Sequence, residues 1–201
     1  EKRVNIEKMQ NYSDELREFL IKIICNPKKD FLICLPYFEK NKIQRLRNTK
    51  LFNKTSNIVE EKYLHHVNKI GSPMFTRPDN TTNLMNENFF KKIQDIFCNK
   101  KVLIINFNKI LLKHPIFKYS KKISFIEIAK RNCFSDYKLI KEKCSPYIKD
   151  NYDIIAISAG PTATCLSYDL CDQIQVIDIG QICRIYNQYF KVNYKDLVSQ
   201  L

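Results

Sequence analysis

Two stretches carry the residue types and spacing that could do chemistry. Ser158-Ala159-Gly160-Pro161-Thr162 follows the apolar run Ile154-Ile155-Ala156-Ile157, and Asp178-Ile179-Gly180 follows Val176-Ile177. Only three glycines occur in the chain, Gly71, Gly160 and Gly180, and two of them stand here. A short β-branched run closed by a turn residue predicts a buried strand. After the first run, Ser158 or Gly160 suits a helix cap, and Pro161 suits the first turn because no N–H is needed there. Ala163, Cys165, Leu166, Leu170 and Cys171 continue as an apolar helical face. Strand, tight turn, helix and strand follow one another. That order leaves backbone N–H groups and the positive end of a helix dipole at a strand's carboxyl end, a setting that suits a phosphate. The same turn serves equally well as a plain β–α connection, and one glycine does not choose between the two.

The rest of the chain must position these stretches. Ser13-Asp14-Glu15 opens a helical face of Leu16, Phe19, Leu20, Ile23 and Ile24 within residues 1–25, and Asn26-Pro27 stops it. Residues 31–35 read as a short buried strand. Residues 39–70 read as a polar helical segment with Tyr63, Leu64 and Val67 inward. His65 and His66 are adjacent there, so they point to different helix faces and form no i, i+4 metal pair. Thr76 and Arg77 lie in a loop after a strand end, where an arginine is either solvated or an anion clamp. An amphipathic helix is expected over 86–98, a buried strand over 102–105, a further strand over 123–128 and a helix over 135–144 that ends before Pro146. Pro115 breaks any long helix over 109–119, and the lone His114 reads as structural. A last helix passes through Tyr186, Tyr189 and Phe190. Strands alternating with helices imply a mainly parallel sheet covered on both faces. Ligands of such sheets bind beyond the strands' carboxyl ends, where Thr76, Arg77, Asn106, residues 158–162, Asp178 and Gly180 all fall.

Composition narrows the class. The 201 residues fit one domain able to bury a core. Hydrophobic content of 44% and aromatic content of 12% mark a folded chain. No apolar run nears a membrane span, and no signal peptide is visible. Eight cysteines without a CxxC pair read as buried small hydrophobes in a reducing cytoplasm. Net charge is +13, unevenly spread: residues 151–201 hold three basic and five acidic residues, leaving 31 basic and 16 acidic in residues 1–150. The basic part could meet nucleic acid, an anionic membrane or phosphorylated substrates, or be a solvated lysine-rich surface. No RRM, KH or helix-turn-helix pattern supports nucleic acid. G-x-G-x-x-G, Walker A, G-x-S-x-G and HExxH motifs are absent.

The stretch Ser158-Ala159-Gly160-Pro161-Thr162-Ala163-Thr164-Cys165-Leu166-Ser167-Tyr168-Asp169-Leu170, followed by Val176-Ile177-Asp178-Ile179-Gly180, resembles the C-terminal signature of the GT-D-type glycosyltransferases. There a G-P-T-A helix precedes an A-x-D-x-G-H strand. Phe75-Thr76-Arg77-Pro78 is also similar, as is Arg131-Asn132-Cys133-Phe134-Ser135-Asp136-Tyr137, beside the family's K-N-A-F-x-x-Y segment. The resemblance covers residues 10–190 and implies a Rossmann-like α/β glycosyltransferase that uses a UDP-sugar and a divalent cation, Mn2+ or Mg2+. Such enzymes build bacterial surface glycans or glycoproteins, in the cytoplasm or at the inner membrane face. The chain departs from the pattern in two places. The family's metal-binding D-x-E lies before the segment matching residues 5–20, so a missing first strand is expected, with Glu1 as the candidate last letter. The family's G-H-I-D-x-E-Y-E is here Gly180-Gln181-Ile182-Cys183-Arg184-Ile185-Tyr186-Asn187.

The expectation is one Rossmann-like domain over 1–201 that binds a nucleotide-sugar donor and meets a glycan or glycoprotein acceptor. Ser158, Gly160, Pro161 and Thr162 would frame the phosphates, and Arg77 would pair with the diphosphate. Asn132 enters from the resemblance as a further donor-binding residue. Asp178 would bind ribose, a sugar hydroxyl or metal, or would merely cap its loop. A catalytically weakened binding or assembly subunit and a basic nucleic-acid-binding domain are the competing readings.

Overall fold

In this computed structural model the chain is described at residues 10–34, 70, 71, 75, 76 and 85–193. The segment 39–69 with His65 and His66, and the site candidates Glu1 and Arg77, lie outside the described residues. The helices are α1 (Asp14–Cys25), α2 (Glu87–Phe97), α3 (Tyr137–Lys149), α4 (Pro161–Leu170) and α5 (Ile182–Tyr189). The strands are β1 (Ile33–Cys34), β2 (Ile70–Gly71), β3 (Lys101–Asn106), β4 (Lys122–Glu127), β5 (Ile154–Ile157) and β6 (Gln175–Asp178).

Local chemistry sets the helix ends. Ser13 is extended, and its Oγ accepts the Leu16 N–H at 3.2 Å, so α1 starts one residue later. Asn86 does the same for α2 through Phe89 N–H at 2.9 Å. Around Pro115 the chain makes two 3-10 turns, Lys109–Lys113 and Pro115–Phe117, in place of a long helix. One expectation fails: α3 runs through Pro146 to Lys149. The proline removes the N–H that would meet the Glu142 carbonyl, but both residues are exposed and water can take that carbonyl. The Pro146 carbonyl still accepts the Asp150 N–H at 2.9 Å.

Two parallel sheets result, β1 with β2, and a four-stranded sheet in the order β4-β3-β5-β6. β3 and β5 sit in the middle, and both read as unbroken buried runs, as strands covered on two faces should. One face packs Val102, Ile104, Ile154 and Ala156 against α2, α5 and the 3-10 turns. The other packs Leu103, Ile105, Ile155 and Ile157 against α3 and α4. α1 lies outside α4, with Leu16 and Ile23 on Cys165 and Tyr168. Asp169 of α4 ties this layer together, accepting Tyr137 Oη at 2.5 Å and Lys141 Nζ at 2.6 Å. No helix among the described residues is long and apolar enough to cross a membrane.

The cysteines are free, and Cys133, Cys144, Cys165 and Cys183 are buried hydrophobes as expected. Cys34 is a correction: it is exposed, because alternation along β1 turns Ile33 inward and Cys34 outward.

Candidate functional site

Strand order decides where a crevice forms. From β3 the chain turns to the face of the 3-10 turns and reaches β4; from β5 it turns to the opposite face through α4 and reaches β6. The carboxyl ends of β3 and β5 are therefore neighbours whose loops part in opposite directions. Such a switch point is where open α/β sheets hold ligands.

The β5 lip is the turn expected from sequence. Gly160 is exposed with φ 57° and ψ −140°, a conformation that L side chains rarely adopt, and among the described residues no side chain caps the α4 terminus behind it. A Cβ built there meets nothing within 4 Å, so the space in front of the turn is open. Ser158 does not cap the helix. Its Oγ donates to the Gly180 carbonyl at 2.9 Å and straps the β5 turn to the end of β6. Pro161 is exposed at the first helical position. Thr162 is fully buried, and its Oγ1 has no hydrogen-bond partner among the described residues.

Beside this turn, Asp178 ends β6. Its Oδ1 accepts the Gly180 N–H at 2.9 Å, the loop-capping role weighed from sequence. Surrounding protein desolvates the carboxyl and pushes its pKa up to about 6, against the pull of the Gly180 N–H. Asp178 is nonetheless exposed to solvent, and that exposure tempers the shift. Cys34 lies within electrostatic range; desolvation by the surrounding protein first, then the Asp178 charge, raises its thiol above the ordinary value, an effect its exposed surface tempers. Gly180 has φ 45°, and a Cβ there would stand 2.8 Å from Thr76 Oγ1. Thr76, Ser158, Asp178 and Gly180 are thus brought together. Asn132 is elsewhere, in the loop after β4, where its Oδ1 accepts the Asn11 N–H at 2.6 Å with φ 55° at its own backbone.

The β3 lip holds Asn106, whose Nδ2 donates to the Ser158 carbonyl at 3.4 Å and whose Oδ1 accepts the Asn108 N–H at 2.8 Å. Between the two asparagines Phe107 is 39% exposed, and Lys130 Nζ lies 5.6 Å from its ring centre. Sequence reasoning passed over Phe107. Its signal was an aromatic residue framed by two turn-forming asparagines directly after a buried strand.

The departures after Gly180 also gain a location. Cys183, Ile185 and Asn187 lie on the buried side of α5, the first two in the core and Asn187 on His114. Among the described residues no cluster of three or more His, Cys, Asp or Glu is placed to hold a metal ion. Asp178 is the carboxylate at the β6 end, and one carboxylate suits a hard cation only together with substrate phosphates.

A family model described as glycosyltransferase GT-D fold matches residues 3–199. The chain belongs to this family. Among solved structures, the one reported as "The highly conserved domain of unknown function 1792 has a distinct glycosyltransferase fold" is 25% identical, with a TM-score of 0.73, over 91% of this chain and 69% of its own. "A New Glycosyltransferase (DUF1792) from Streptococcus sanguinis" is 25% identical with a TM-score of 0.70, over 90% of this chain and 70% of its own. Comparison with curated proteins gave no match. The GT-D assignment fits the parallel sheet covered on both faces and makes the chain a glycosyltransferase by family.

Proposed function

We propose that this GT-D protein, a single domain over residues 1–201, transfers a sugar from a nucleotide-sugar donor, with UDP as the carrier, to a glycan or glycoprotein acceptor of the bacterial surface. The observation that carries the donor side is the open Gly160 turn at the switch point, with a helix terminus behind it that no described side chain caps and the exposed Asp178 beside it. The reaction displaces a diphosphate at the anomeric carbon, so negative charge grows on the leaving group. The positive end of the α4 dipole and the N–H of the exposed Gly160 would face that charge with no reorganisation, since Pro161 has no N–H and the Ala163 N–H is taken by the Gly160 carbonyl. Arg77, next in sequence to Thr76, supplies a planar fork for the diphosphate. Asp178 takes a ribose or sugar hydroxyl on its second oxygen, which has no partner among the described residues. Asn132, in the loop after β4 and apart from the Gly160 turn, would have only its Nδ2 to offer the donor, since its Oδ1 holds the Asn11 N–H. A divalent cation, where bound, would share the diphosphate's charge, held by the donor's phosphates with Asp178. The acceptor class, the cytoplasmic location and contact with a membrane or assembly complex rest on the family alone.

A second reading, a nucleotide-sugar-binding subunit with weak turnover, is favoured by the occupants of positions 183, 185 and 187. Where the family's pattern carries acids, this chain has built core. Calorimetry with UDP, with and without manganese, together with a UDP-release assay on UDP-sugars, tests both. Binding with turnover supports transfer, binding without turnover supports the second reading, and no binding refutes both.

A further inference from the structure

We propose that Phe107 and Lys130 form the nucleobase subsite of the donor site, taking a pyrimidine ring against the exposed phenyl ring. The assignment rests on the nucleotide-sugar reading above and adds which residues hold the base. Phe107 follows four core residues, Val102, Leu103, Ile104 and Ile105, each with no exposed surface, yet is itself 39% exposed. Its loop is fixed on both sides: Asn106 bonds Asn108 and Ser158, and Asn108 Oδ1 accepts the Ile110 N–H at 3.1 Å. A ring on so constrained a loop loses little conformational freedom when something stacks on it. The site is also in register with the phosphate turn. β3 and β5 are paired as far as Ile105 and Ile157, and Asn106, the residue before Phe107, bonds the Ser158 carbonyl of the phosphate turn.

Lys130 supplies a polar partner for the base. Its ammonium, from the loop after β4, lies 5.6 Å from the ring centre. A pyrimidine would stack on the phenyl face that the ammonium leaves open. Its flat face overlaps the phenyl ring, as bases do on aromatic platforms, while a ring carbonyl accepts a hydrogen bond from the ammonium.

The test is calorimetry with manganese present, titrating UDP and inorganic pyrophosphate into wild type, Phe107→Ala and Phe107→Tyr. Phe107→Ala should weaken UDP roughly tenfold or more and leave pyrophosphate unchanged, while Phe107→Tyr should keep both. Equal losses for UDP and pyrophosphate would overturn the assignment, because Phe107 would then only support the loop. Unchanged UDP affinity in Phe107→Ala would overturn it too, with the donor reading intact. Failure of wild type to bind either compound would remove the donor reading itself, and the subsite with it.

Discussion

His114 is 1% exposed, and its surroundings fix its protonation state. Nε2 faces two acceptors, the Cys183 carbonyl at 3.1 Å and Asn187 Oδ1 at 3.0 Å, so it carries the hydrogen. Nδ1 accepts the Ile116 N–H at 3.3 Å, so it carries none. A second proton on Nδ1 would point at that N–H and place a charge in the core. Burial accordingly lowers the pKa to about 4, outweighing the raising effect of the two acceptors. The unfolded chain binds this proton near its ordinary value of about 6.5. The folded value is the lower one, so the stability concerned is present above about pH 6.5 and is lost as pH falls towards about 4. The linkage integrates to about 2 kcal/mol lost by pH 5 and about 3 kcal/mol by pH 4. For a chain of this size the larger figure corresponds to roughly 6–12 °C in Tm. His114→Gln should be less stable at pH 7, because it gives up part of the network, but should lose correspondingly less on acidification. Thermal unfolding of both proteins from pH 7.5 to 4.5 measures the difference and cancels other groups, such as Asp169, whose partners Lys141 and Tyr137 lower its pKa against the opposing effect of burial. Parallel loss in the two proteins would refute the reasoning and return His114 to a group without pH linkage.

Three further outcomes follow from the site. Gly160→Val should cost about 1–3 kcal/mol of stability through the positive φ alone, since its Cβ meets no protein atom. It should also abolish UDP binding by filling the open space; a folded variant with unchanged UDP affinity would move the phosphate elsewhere. In wild type, kcat/KM for a UDP-sugar should rise with pH as Asp178 ionises, at a pH above the ordinary carboxylate range. Asp178→Asn should lose that limb and roughly ten- to a hundredfold in rate, the value of a hydrogen bond to a charged group. Because the folded carboxyl keeps its proton to a higher pH than the unfolded one, ionisation opposes folding, and Asp178→Asn should raise Tm at pH 8 but not at pH 4. Arg77→Lys should already weaken UDP binding severalfold, because lysine offers a point charge in place of a fork; equal affinities in calorimetry would make Arg77 a solvated surface residue.

Features that depend on a few neighbouring residues were legible in the sequence. The 154–157 run reads as a buried strand because β-branched residues between turn formers fit few other settings. Gly160-Pro161 reads as a strand-to-helix turn because only glycine accepts that φ readily and proline suits the first helical position. Ser13 and Pro115 show the same local logic. Pro146 misled because the cost of a proline in a helix depends on whether the orphaned carbonyl reaches water, which local sequence does not state. The resemblance to the GT-D signature located the 158–180 stretch, and the sheet's parallel class followed from alternation. What periodicity cannot encode is which strands become neighbours, since each buried run would fit beside any other. Only the tertiary order β4-β3-β5-β6 made β3 and β5 the switch point. Only that order set Asn106 on the Ser158 carbonyl, turned the Ser158 hydroxyl from a helix cap into a strap on Gly180, and left Phe107 at the lip of the crevice.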